Sequence, residues 1–535
     1  MVFTRYRTAP SRAHALSYWL FCVTVALIGF SAILMATCRY GIGLSPDSVG
    51  YISAARNLLA GKGATLFNGQ PLVYQPPLYP LVLAAFSFCT GLDPLCSARI
   101  VNAAAFAAIL LLTGGLLAYR FRIAILPAVF GVLFTLSGPL LGVSLRAWSE
   151  PLFICLVLAF LWRAEAYAAY PRMLQLLLLA LVVGLATLTR YIGVIMIPAG
   201  IFAVSSAPAS SATQRIRRAL MFATLAALPL TFWLARNLFL CDTLFGERGP
   251  SSETLPSNLL RIVNGIWLWY RPPSIILNHL SSLPGKLLAG CGGLILLLTL
   301  VRRGLYRQFW REAGFRRLVI LVVLYLGFLA ISASVTAYDH INFRLLSPIF
   351  VPLLLMLLFI LDRSLERKTW TVSRKNAFGI IPVVVFAILL ARPLYGSIHV
   401  LKRMYRQGYG YSGRAWNKDR LVEFVRKHAP ELREAALYSN SLEALYLFCG
   451  ITTCRPSPRS RLYNSPLRVT RLTDLRGSWP PEGRALLVWF NRQRRKHLFC
   501  VDDLKRIADF TELFRCRDGS LYAVTTKSGR TVCAE

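Results

Sequence analysis

Two acidic residues lie beside apolar runs, where a carboxylate can act on a substrate held at a membrane. Asp47 opens the polar stretch Ser45 to Pro80, directly after the first apolar run, and Glu150 occupies a second polar stretch. Acidic side chains are scarce near membrane faces, because burying their charge is costly, and those present are often functional. A carboxylate there can accept the proton of an attacking hydroxyl or amine. We interpret Asp47 as the main catalytic candidate and Glu150 as a second.

Each of these residues also has an ordinary structural interpretation. Asp47 lies in Pro46-Asp47-Ser48 before an amphipathic run, which is good N-cap sequence. Glu150 suits the first turn of a helix, where negative charge interacts favourably with the helix dipole. Capping and catalysis are compatible, so the sequence leaves both interpretations open.

Three arginines lie at the same ends of apolar runs as the acidic residues: Arg190, Arg236 and Arg344. A guanidinium can bind a phosphate through two parallel hydrogen bonds. A single arginine at such a position usually extends its charge toward the lipid headgroups, so the set rather than any one member indicates an anion site. Asp339 and His340 form either an acid/base pair or a solvated turn.

The composition of the 535 residues predicts a membrane protein. Hydrophobic residues make up 56% of the chain and charged residues 16%, and the mean hydropathy is +0.53. A soluble protein of this length is less apolar. The net charge of +36 comes mostly from Lys and Arg in short loops between apolar runs, where they act as orientation signals. We therefore expect no nucleic-acid partner.

The apolar runs predict about eleven crossings, with additional interfacial helices. Arg5, Arg7 and Arg12 precede the first run, which places the N-terminus in the cytoplasm and Asp47 outside. We interpret that first run as a retained helix. Leu78 to Cys89 is short and is interpreted as re-entrant or interfacial. The predicted crossings are 17–37, 98–119, 123–143, 151–161 with its flank, 173–188, 191–204, 219–233, 287–300, 318–333, 345–361 and 380–394.

The odd number of crossings places the tail outside as a second, non-membrane unit. We predict a membrane domain over 1–398, with a first outer loop at 39–77, and an extracytoplasmic α/β domain over 399–535. The tail pattern alternates helices and strands. Disulfides are permitted outside the cell, and Cys449 with Cys454, or Cys500 with Cys516, are candidate pairs. The predicted tail elements are helices 419–428, 442–448 and 501–509 and strands 435–439, 485–490 and 521–525.

Several short motifs resemble one family of membrane enzymes. The first outer loop, with Pro46-Asp47-Ser48, the spacing of Tyr51 and Asn57, and Gln75 to Pro80, is similar to that of the GT-C glycosyltransferases that use polyprenyl-phosphate sugars. This branch includes the protein O-mannosyltransferases and the lipid A aminoarabinose transferases. The further matching motifs are Trp148 to Phe153, Leu188 to Tyr191, Trp233 to Asn237 with Gly246, Phe343 to Pro348, and Leu437 to Asn440 with Leu445-Tyr446.

The resemblance implies an inverting transfer of a sugar from a polyprenyl-phosphate donor to a lipid, glycan or protein acceptor on the outer side of the inner membrane. In that family the acidic residue of the first outer loop is catalytic, and Asp47 occupies its place. Ser48 and Val49 follow Asp47 where some relatives have a metal-binding acidic motif, so we expect no metal or other cofactor. A transporter or flippase of lipid-linked glycans is the alternative, although the chain shows no internal repeat. The substrate-binding candidates are Tyr51, Tyr74, Arg190, Arg236, His340 and Arg344.

Overall fold

The computed structural model describes residues 12–208, 211–270, 309–366, 390, 393–493 and 495–527. The part before residue 400 is helical. Its helices are α1 (Arg12–Ala36), α2 (Pro46–Leu59), α3 (Leu78–Thr90), α4 (Pro94–Gly115), α5 (Ile125–Thr135), α6 (Gly138–Ser144), α7 (Glu150–Ala169), α8 (Met173–Thr189), α9 (Met196–Ser205), α10 (Ala212–Cys241), α11 (Leu255–Tyr270), α12 (Ala313–Val335), α13 (Phe343–Leu346) and α14 (Phe350–Glu366).

Six helical segments of the described residues are long and apolar enough to cross a membrane, and the bent pair α5 and α6 makes a possible seventh. The chain is a multi-pass α-helical membrane protein, as predicted. Three shorter apolar helices match the predicted segments at 78–89, 173–188 and 191–204. The predicted crossing at 287–300, and most of that at 380–394, lie outside the described residues. The six are His14–Ala36, Pro94–Arg120, Glu150–Ala169, Ala212–Cys241, Ala313–Val335 and Phe343–Asp362.

The first outer loop contains the short helix α2 and leads into α3. Ser45 caps α2 through a reciprocal capping box with Ser48, so the N-cap is Ser45 and not Asp47. Val49 and Ile52 are fully buried, which confirms the predicted apolar face of α2, whereas Leu59 at its end is exposed. The 13 residues of α3 span only about 20 Å, less than the roughly 30 Å of a bilayer core.

The tail contains a five-stranded sheet with the strand order β2-β1-β3-β5-β4. β1 runs parallel to its neighbours β2 and β3, and the pairs β3/β5 and β5/β4 are antiparallel. The tail elements are α15 (Arg414–Asn417), α16 (Arg420–Lys427), α17 (Ala429–Glu434), β1 (Leu437–Ser439), α18 (Leu442–Cys449), β2 (Arg455–Pro456), β3 (Arg484–Phe490), α19 (Val501–Leu504), β4 (Ala508–Cys516) and β5 (Gly519–Thr526).

Two predictions for the tail are wrong. The helix expected over 501–509 ends at Leu504, and Ala508–Cys516 forms a strand that the sequence analysis missed. The cysteines of both expected disulfides are free thiols in the described structure. Cys449 and Cys454 are buried as free thiols in the same apolar cluster, and the Cys500 thiol contacts the Asp503 carboxylate instead of a second sulfur.

The tail and the first outer loop share one hydrophobic core. Val49 and Ile52 of α2 belong to the same cluster of buried side chains as Leu421 of α16, Leu445 of α18 and Phe490 of β3. The backbone also joins the two parts, since the Leu44 amide donates to the Tyr409 carbonyl and the Leu44 carbonyl accepts from the Tyr411 amide. The sheet unit therefore rests directly on the segment that leads into Asp47.

Candidate active site

Asp47 lies in the first turn of α2, where its carboxylate meets an arginine from a distant part of the chain. Its Oδ2 atom is 2.6 Å from Arg344 Nη1, and its Oδ1 atom accepts a hydrogen bond of 3.1 Å from Gln75 Nε2. Ser45 caps the helix, so the Asp47 side chain is free of the capping role. About 36% of the side chain is exposed, which leaves the carboxylate accessible to a substrate.

Glu150 is the first residue of α7, and its side chain is completely buried. Its Oε1 atom accepts hydrogen bonds from two guanidinium groups, those of Arg190 and Arg344. Its Oε2 atom has no hydrogen-bond partner among the described residues. A buried carboxylate is costly unless it is paired, and here two cations from different helices meet on one oxygen.

Arg344 bridges the two acidic residues. The Asn342 side chain caps the short helix α13 by accepting a hydrogen bond from the backbone amide of Arg344. This cap holds the backbone of Arg344 in place. The guanidinium carbon lies 4.3 Å from the centre of the Trp148 ring, a cation–π contact. Asp339 is a third carboxylate, 3.9 Å from Arg344 Nη1. The guanidinium is held between Asp47, Glu150 and an aromatic face.

The charges around Asp47 set its ionisation state. Burial disfavours the charged form and by itself would raise the pKa of the carboxyl. The Arg344 guanidinium opposes that effect most strongly, and together with Arg190 and the Gln75 amide it brings the pKa of Asp47 below its ordinary value. Asp47 is therefore a carboxylate throughout the neutral pH range.

Arg190 and Tyr51 complete the cluster around Glu150. The Tyr51 hydroxyl is 3.1 Å from Ser149 Oγ, and its ring packs edge-on against Tyr79. Arg190 Nη1 contacts both Ser149 and Glu150, while its Nε atom is buried without a partner in the part of the chain that the structure describes. Arg190 thus has hydrogen-bonding capacity to spare for an anion.

The structure does not bring the other three predicted residues into this cluster. The Arg236 guanidinium donates to the backbone carbonyls of Leu72 and Ala64, and so supports the first outer loop. The Tyr74 hydroxyl points to the carbonyl of Glu247. His340 Nδ1 lies 3.3 Å from a carboxylate oxygen of Glu253, and the His340 side chain is 57% exposed.

Several residues around the cluster make contacts that the sequence did not predict. Asp339 accepts a hydrogen bond of 2.8 Å from the hydroxyl of Tyr463, which comes from the tail. The Arg146 guanidinium is enclosed by the rings of Tyr409, Trp148 and Phe343. From the sequence, Asp339 was expected to form an acid/base pair with His340 or part of a solvated turn, whereas the structure places it beside Arg344 and Tyr463.

A cavity of about 310 Å³ borders the start of α2 on the side of the tail. Ser45 and Pro46 line it, together with Tyr409, Tyr411 and Gln493. Hydroxyl, amide and aromatic groups are the usual lining of a site for a polar organic molecule. No group of three or more His, Cys, Asp or Glu placed to hold a metal ion occurs among the described residues.

Comparison with known proteins gives no match to any family model and none to a curated protein sequence. Solved structures do match. ArnT from Cupriavidus metallidurans bound to undecaprenyl phosphate is 13% identical, with a TM-score of 0.54 over 95% of this chain and 98% of that one. The chain has the GT-C fold. The predicted fold class, a polytopic helical protein with a small α/β tail, is thereby confirmed.

Two larger proteins also share the GT-C fold over most of this chain. The arabinofuranosyltransferase AftD from Mycobacteria is 13% identical, with a TM-score of 0.51 over 95% of this chain and 40% of that one. The oligosaccharyltransferase from Archaeoglobus fulgidus is 12% identical, with a TM-score of 0.50 over 87% of this chain and 68% of that one. These two proteins are matched over only part of their own lengths, whereas ArnT is matched along nearly the full length of both chains.

Proposed function

We propose that this protein is an integral-membrane glycosyltransferase that moves a sugar from a polyprenyl-phosphate donor to an acceptor at the face of the membrane where Asp47 lies. The observation that carries the proposal is the Arg344 guanidinium bridging Asp47 and Glu150 in a chain with the GT-C fold. This arrangement combines a candidate base with cations suited to a leaving phosphate. One matching structure, ArnT, is bound to undecaprenyl phosphate, and this supports the proposed class of donor.

The donor phosphate binds between Arg344 and Arg190 in this proposal. Both guanidinium groups converge on Glu150, so two positive charges lie side by side near Asp47. Fixed guanidinium groups stabilise the charge that develops on a leaving phosphate, because they are oriented before the reaction begins. Glu150 would keep both cations in position through its buried Oε1 atom, and Tyr51 would steady Ser149 beside them.

Asp47 acts as the general base in the transfer. The acceptor oxygen or nitrogen forms a bond to the anomeric carbon of the sugar, and the bond from that carbon to the phosphate oxygen breaks. The electron pair leaves with the polyprenyl phosphate, and the acceptor proton passes to Asp47. Attack opposite the leaving group inverts the anomeric configuration.

The ion pair with Arg344 couples the basicity of Asp47 to binding of the donor phosphate. Without substrate, Arg344 lowers the pKa of Asp47, which makes the carboxylate a weak base. A donor phosphate that engages Arg344 competes with Asp47 for the same donors. Asp47 would then lose its partner, its pKa would rise toward the working pH, and it would accept a proton more readily.

The reaction as proposed requires no metal ion, because arginine side chains supply the positive charge that a metal would otherwise supply at these carboxylates. We expect an excess of EDTA to leave turnover unchanged. We also propose the orientation read from the charged loops: the N-terminus is cytoplasmic, the tail is extracytoplasmic, and the membrane is the inner membrane of a cell with an envelope.

The test uses purified protein in liposomes, radiolabelled polyprenyl-phosphate hexoses and pentoses, and membranes of the source cell as acceptor. The measurement is release of free polyprenyl phosphate together with label in the acceptor fraction. Asp47→Asn should lose at least about 100-fold in rate, the scale of general base catalysis. Asp93→Asn is the matched control, because Asp93 pairs with Arg56 on the exposed side of the same loop region, and it should retain wild-type turnover.

Donor binding separates catalysis from recognition. Undecaprenyl phosphate should bind the wild type and Asp47→Asn alike, and should bind Arg344→Gln weakly. Full turnover by Asp47→Asn would exclude Asp47 as the base. Movement of intact donor between leaflets with no bond cleaved would identify a transporter instead.

A further inference from the structure

A cavity lined by arginines lies at the opposite end of α7 from Glu150. It has a volume of about 150 Å³ and is formed by the end of α7, the turn into α8, and the first turns of α10. Since α7 has 20 residues, a rise of 1.5 Å per residue places this cavity about 30 Å from Glu150. It is therefore separate from the proposed active site and lies toward the other face of the membrane.

The cavity is lined by positive charge. Arg172, from the turn before α8, and Arg217 and Arg218, from α10, contribute three guanidinium groups, and no acidic residue is among its lining residues. Three cations close together repel one another unless an anion or solvent screens them. Guanidinium groups are also the side chains best shaped to bind a phosphate.

A buried hydroxyl group in the same cavity interacts with one of these arginines. Tyr167 is 1% exposed, and the Arg218 guanidinium interacts with its hydroxyl oxygen. An arginine can only donate, so this contact leaves the hydrogen of the Tyr167 hydroxyl without an acceptor among the described residues. Because Tyr167 lines the cavity, an acceptor for this hydrogen belongs in the cavity, and the arginines there favour an anion.

The surroundings of the cavity indicate that the anion belongs to a lipid. Met173 lines the cavity and is 57% exposed, and Leu174 and Leu220 beside it are exposed by 62% and 64%. Apolar side chains exposed on the outer surface of a membrane helix face hydrocarbon. A ligand bound here would therefore contact arginines with its anionic group and apolar side chains with its hydrocarbon part.

We infer that this cavity binds the phosphate group of an anionic phospholipid, with Arg172, Arg217 and Arg218 around the phosphate and the Tyr167 hydroxyl donating to one of its oxygens. The acyl chains lie along the exposed leucines of α8 and α10. A lipid bound here would fasten the ends of α7, α8 and α10 together. Basic pockets between membrane helices are suited to such headgroups.

The test uses the full-length protein in nanodiscs of phosphatidylcholine, with phosphatidylglycerol added in increasing amounts, and reads retained lipid by native mass spectrometry together with the melting temperature. The wild type should retain phosphatidylglycerol and melt at a higher temperature in its presence. Arg172→Gln and Arg218→Gln should each weaken binding about fivefold. Tyr167→Phe should weaken it while leaving the apolar packing intact.

Arg215→Gln is the matched control. Arg215 is an exposed arginine of α10, the helix of Arg217 and Arg218, but it does not line the cavity. It should bind phosphatidylglycerol like the wild type. Equal loss in this control would reduce the effect to general surface charge and overturn the site. Full competition by inorganic phosphate or glycerol phosphate would assign the cavity to a soluble anion and overturn the lipid assignment. None of these outcomes depends on glycosyl transfer.

Discussion

Arg344 concentrates the chemistry of the site in one side chain. It touches Asp47 and Glu150 through different nitrogen atoms, lies over Trp148, and has Asp339 at 3.9 Å. A planar guanidinium can serve several partners in fixed directions, whereas an ammonium group is a single point charge. The geometry at this residue therefore depends on shape as well as on charge.

The first prediction is that Arg344→Lys fails although it preserves the charge. A lysine at this position cannot bridge Asp47 and Glu150 while resting on Trp148, so we expect a loss of about 100-fold or more in the transfer rate. Steady-state kinetics with a labelled donor measure it. Arg56→Lys, on the exposed pair with Asp93, is the control and should retain activity. Equal activity of both variants would contradict the bridging role.

The second prediction concerns stability at Glu150. Glu150→Gln removes the buried negative charge between Arg190 and Arg344 and leaves two cations underneutralised, which is expected to cost about 3–5 kcal/mol. The free energy of unfolding in mixed micelles measures this loss. The exposed pair of Glu512 and Arg515 supplies the control, because Glu512→Gln should cost less than about 1 kcal/mol. If both variants unfold alike, the Glu150 cluster is not a buried network.

The sequence identifies part of this cluster and not the rest. Asp47, Glu150, Arg190 and Arg344 each stand at the end of an apolar run, and the structure brings them together. Arg236 stands at a similar position, yet its guanidinium turns to the backbone of the first outer loop. Spacing along the chain tells which end of a helix a residue occupies, but not the direction in which its side chain leaves the bundle.

At the scale of elements, the position of α2 depends on the Gly408 to Gly413 segment. Gly410 has a φ of +58°, and a Cβ atom on it would lie 1.8 Å from the Leu44 carbonyl oxygen. Only glycine satisfies both the backbone conformation and the close approach. The contact sets where Leu44 lies, and Asp47 follows three residues later.

The third prediction follows from this contact. Gly410→Ala should displace Leu44, destabilise the protein by more than about 2 kcal/mol and reduce transfer. Gly61→Ala is the matched control, because Gly61 also has a positive φ of +72° but nothing within 4 Å of an added Cβ. It should show the conformational cost alone and keep its activity. Thermal unfolding and the transfer assay together measure both effects.

Element prediction succeeds where the hydrophobic pattern is strong. The apolar helices and the buried strand β3 follow directly from their runs of apolar residues. The strand β4 was missed because its sequence, ADFTELFRC, carries charged residues, and most of its length is exposed at the edge of the sheet. Its pairing with β5 is a tertiary interaction that no local pattern reveals.

At the scale of the whole molecule, the tail segment 460–465 docks across the loops that contain Pro250 and Asp339, beside the site. Tyr463 donates to Asp339, the Asn464 amide donates to the Tyr338 carbonyl, and Ser465 donates to the Pro250 carbonyl. The carbonyl of His497 anchors the base of this segment by accepting from the backbone amide of Ser460. No local sequence pattern predicts this docking, because the residues it pairs lie more than a hundred positions apart.

The fourth prediction is a pH dependence centred on His497. Burial, with the nearby charges of Arg495 and Arg459, lowers the pKa of His497 from 6.5 to about 4. The unfolded chain therefore binds this proton at a higher pH than the folded chain, and stability falls as pH decreases. The contribution is complete above pH 6.5 and is lost as pH falls to about 4.

Thermal unfolding of the wild type and of His497→Phe between pH 7 and pH 4 tests this prediction. The phenylalanine keeps an aromatic ring against Tyr463, the edge-on partner of His497, but has no proton to bind. The variant should lose less stability than the wild type over this interval. Parallel stability curves for the two proteins would show that His497 does not titrate as described.

Because α2 and the sheet share a single core, a ligand that binds the tail can change the position of Asp47. An antibody fragment or small molecule that wedges between the sheet and Leu44 would tilt the helix that carries Asp47 without ever entering the lipid. Such an agent would need neither to resemble a sugar nor to compete with a long isoprenoid, and it could be selected against the soluble surface alone.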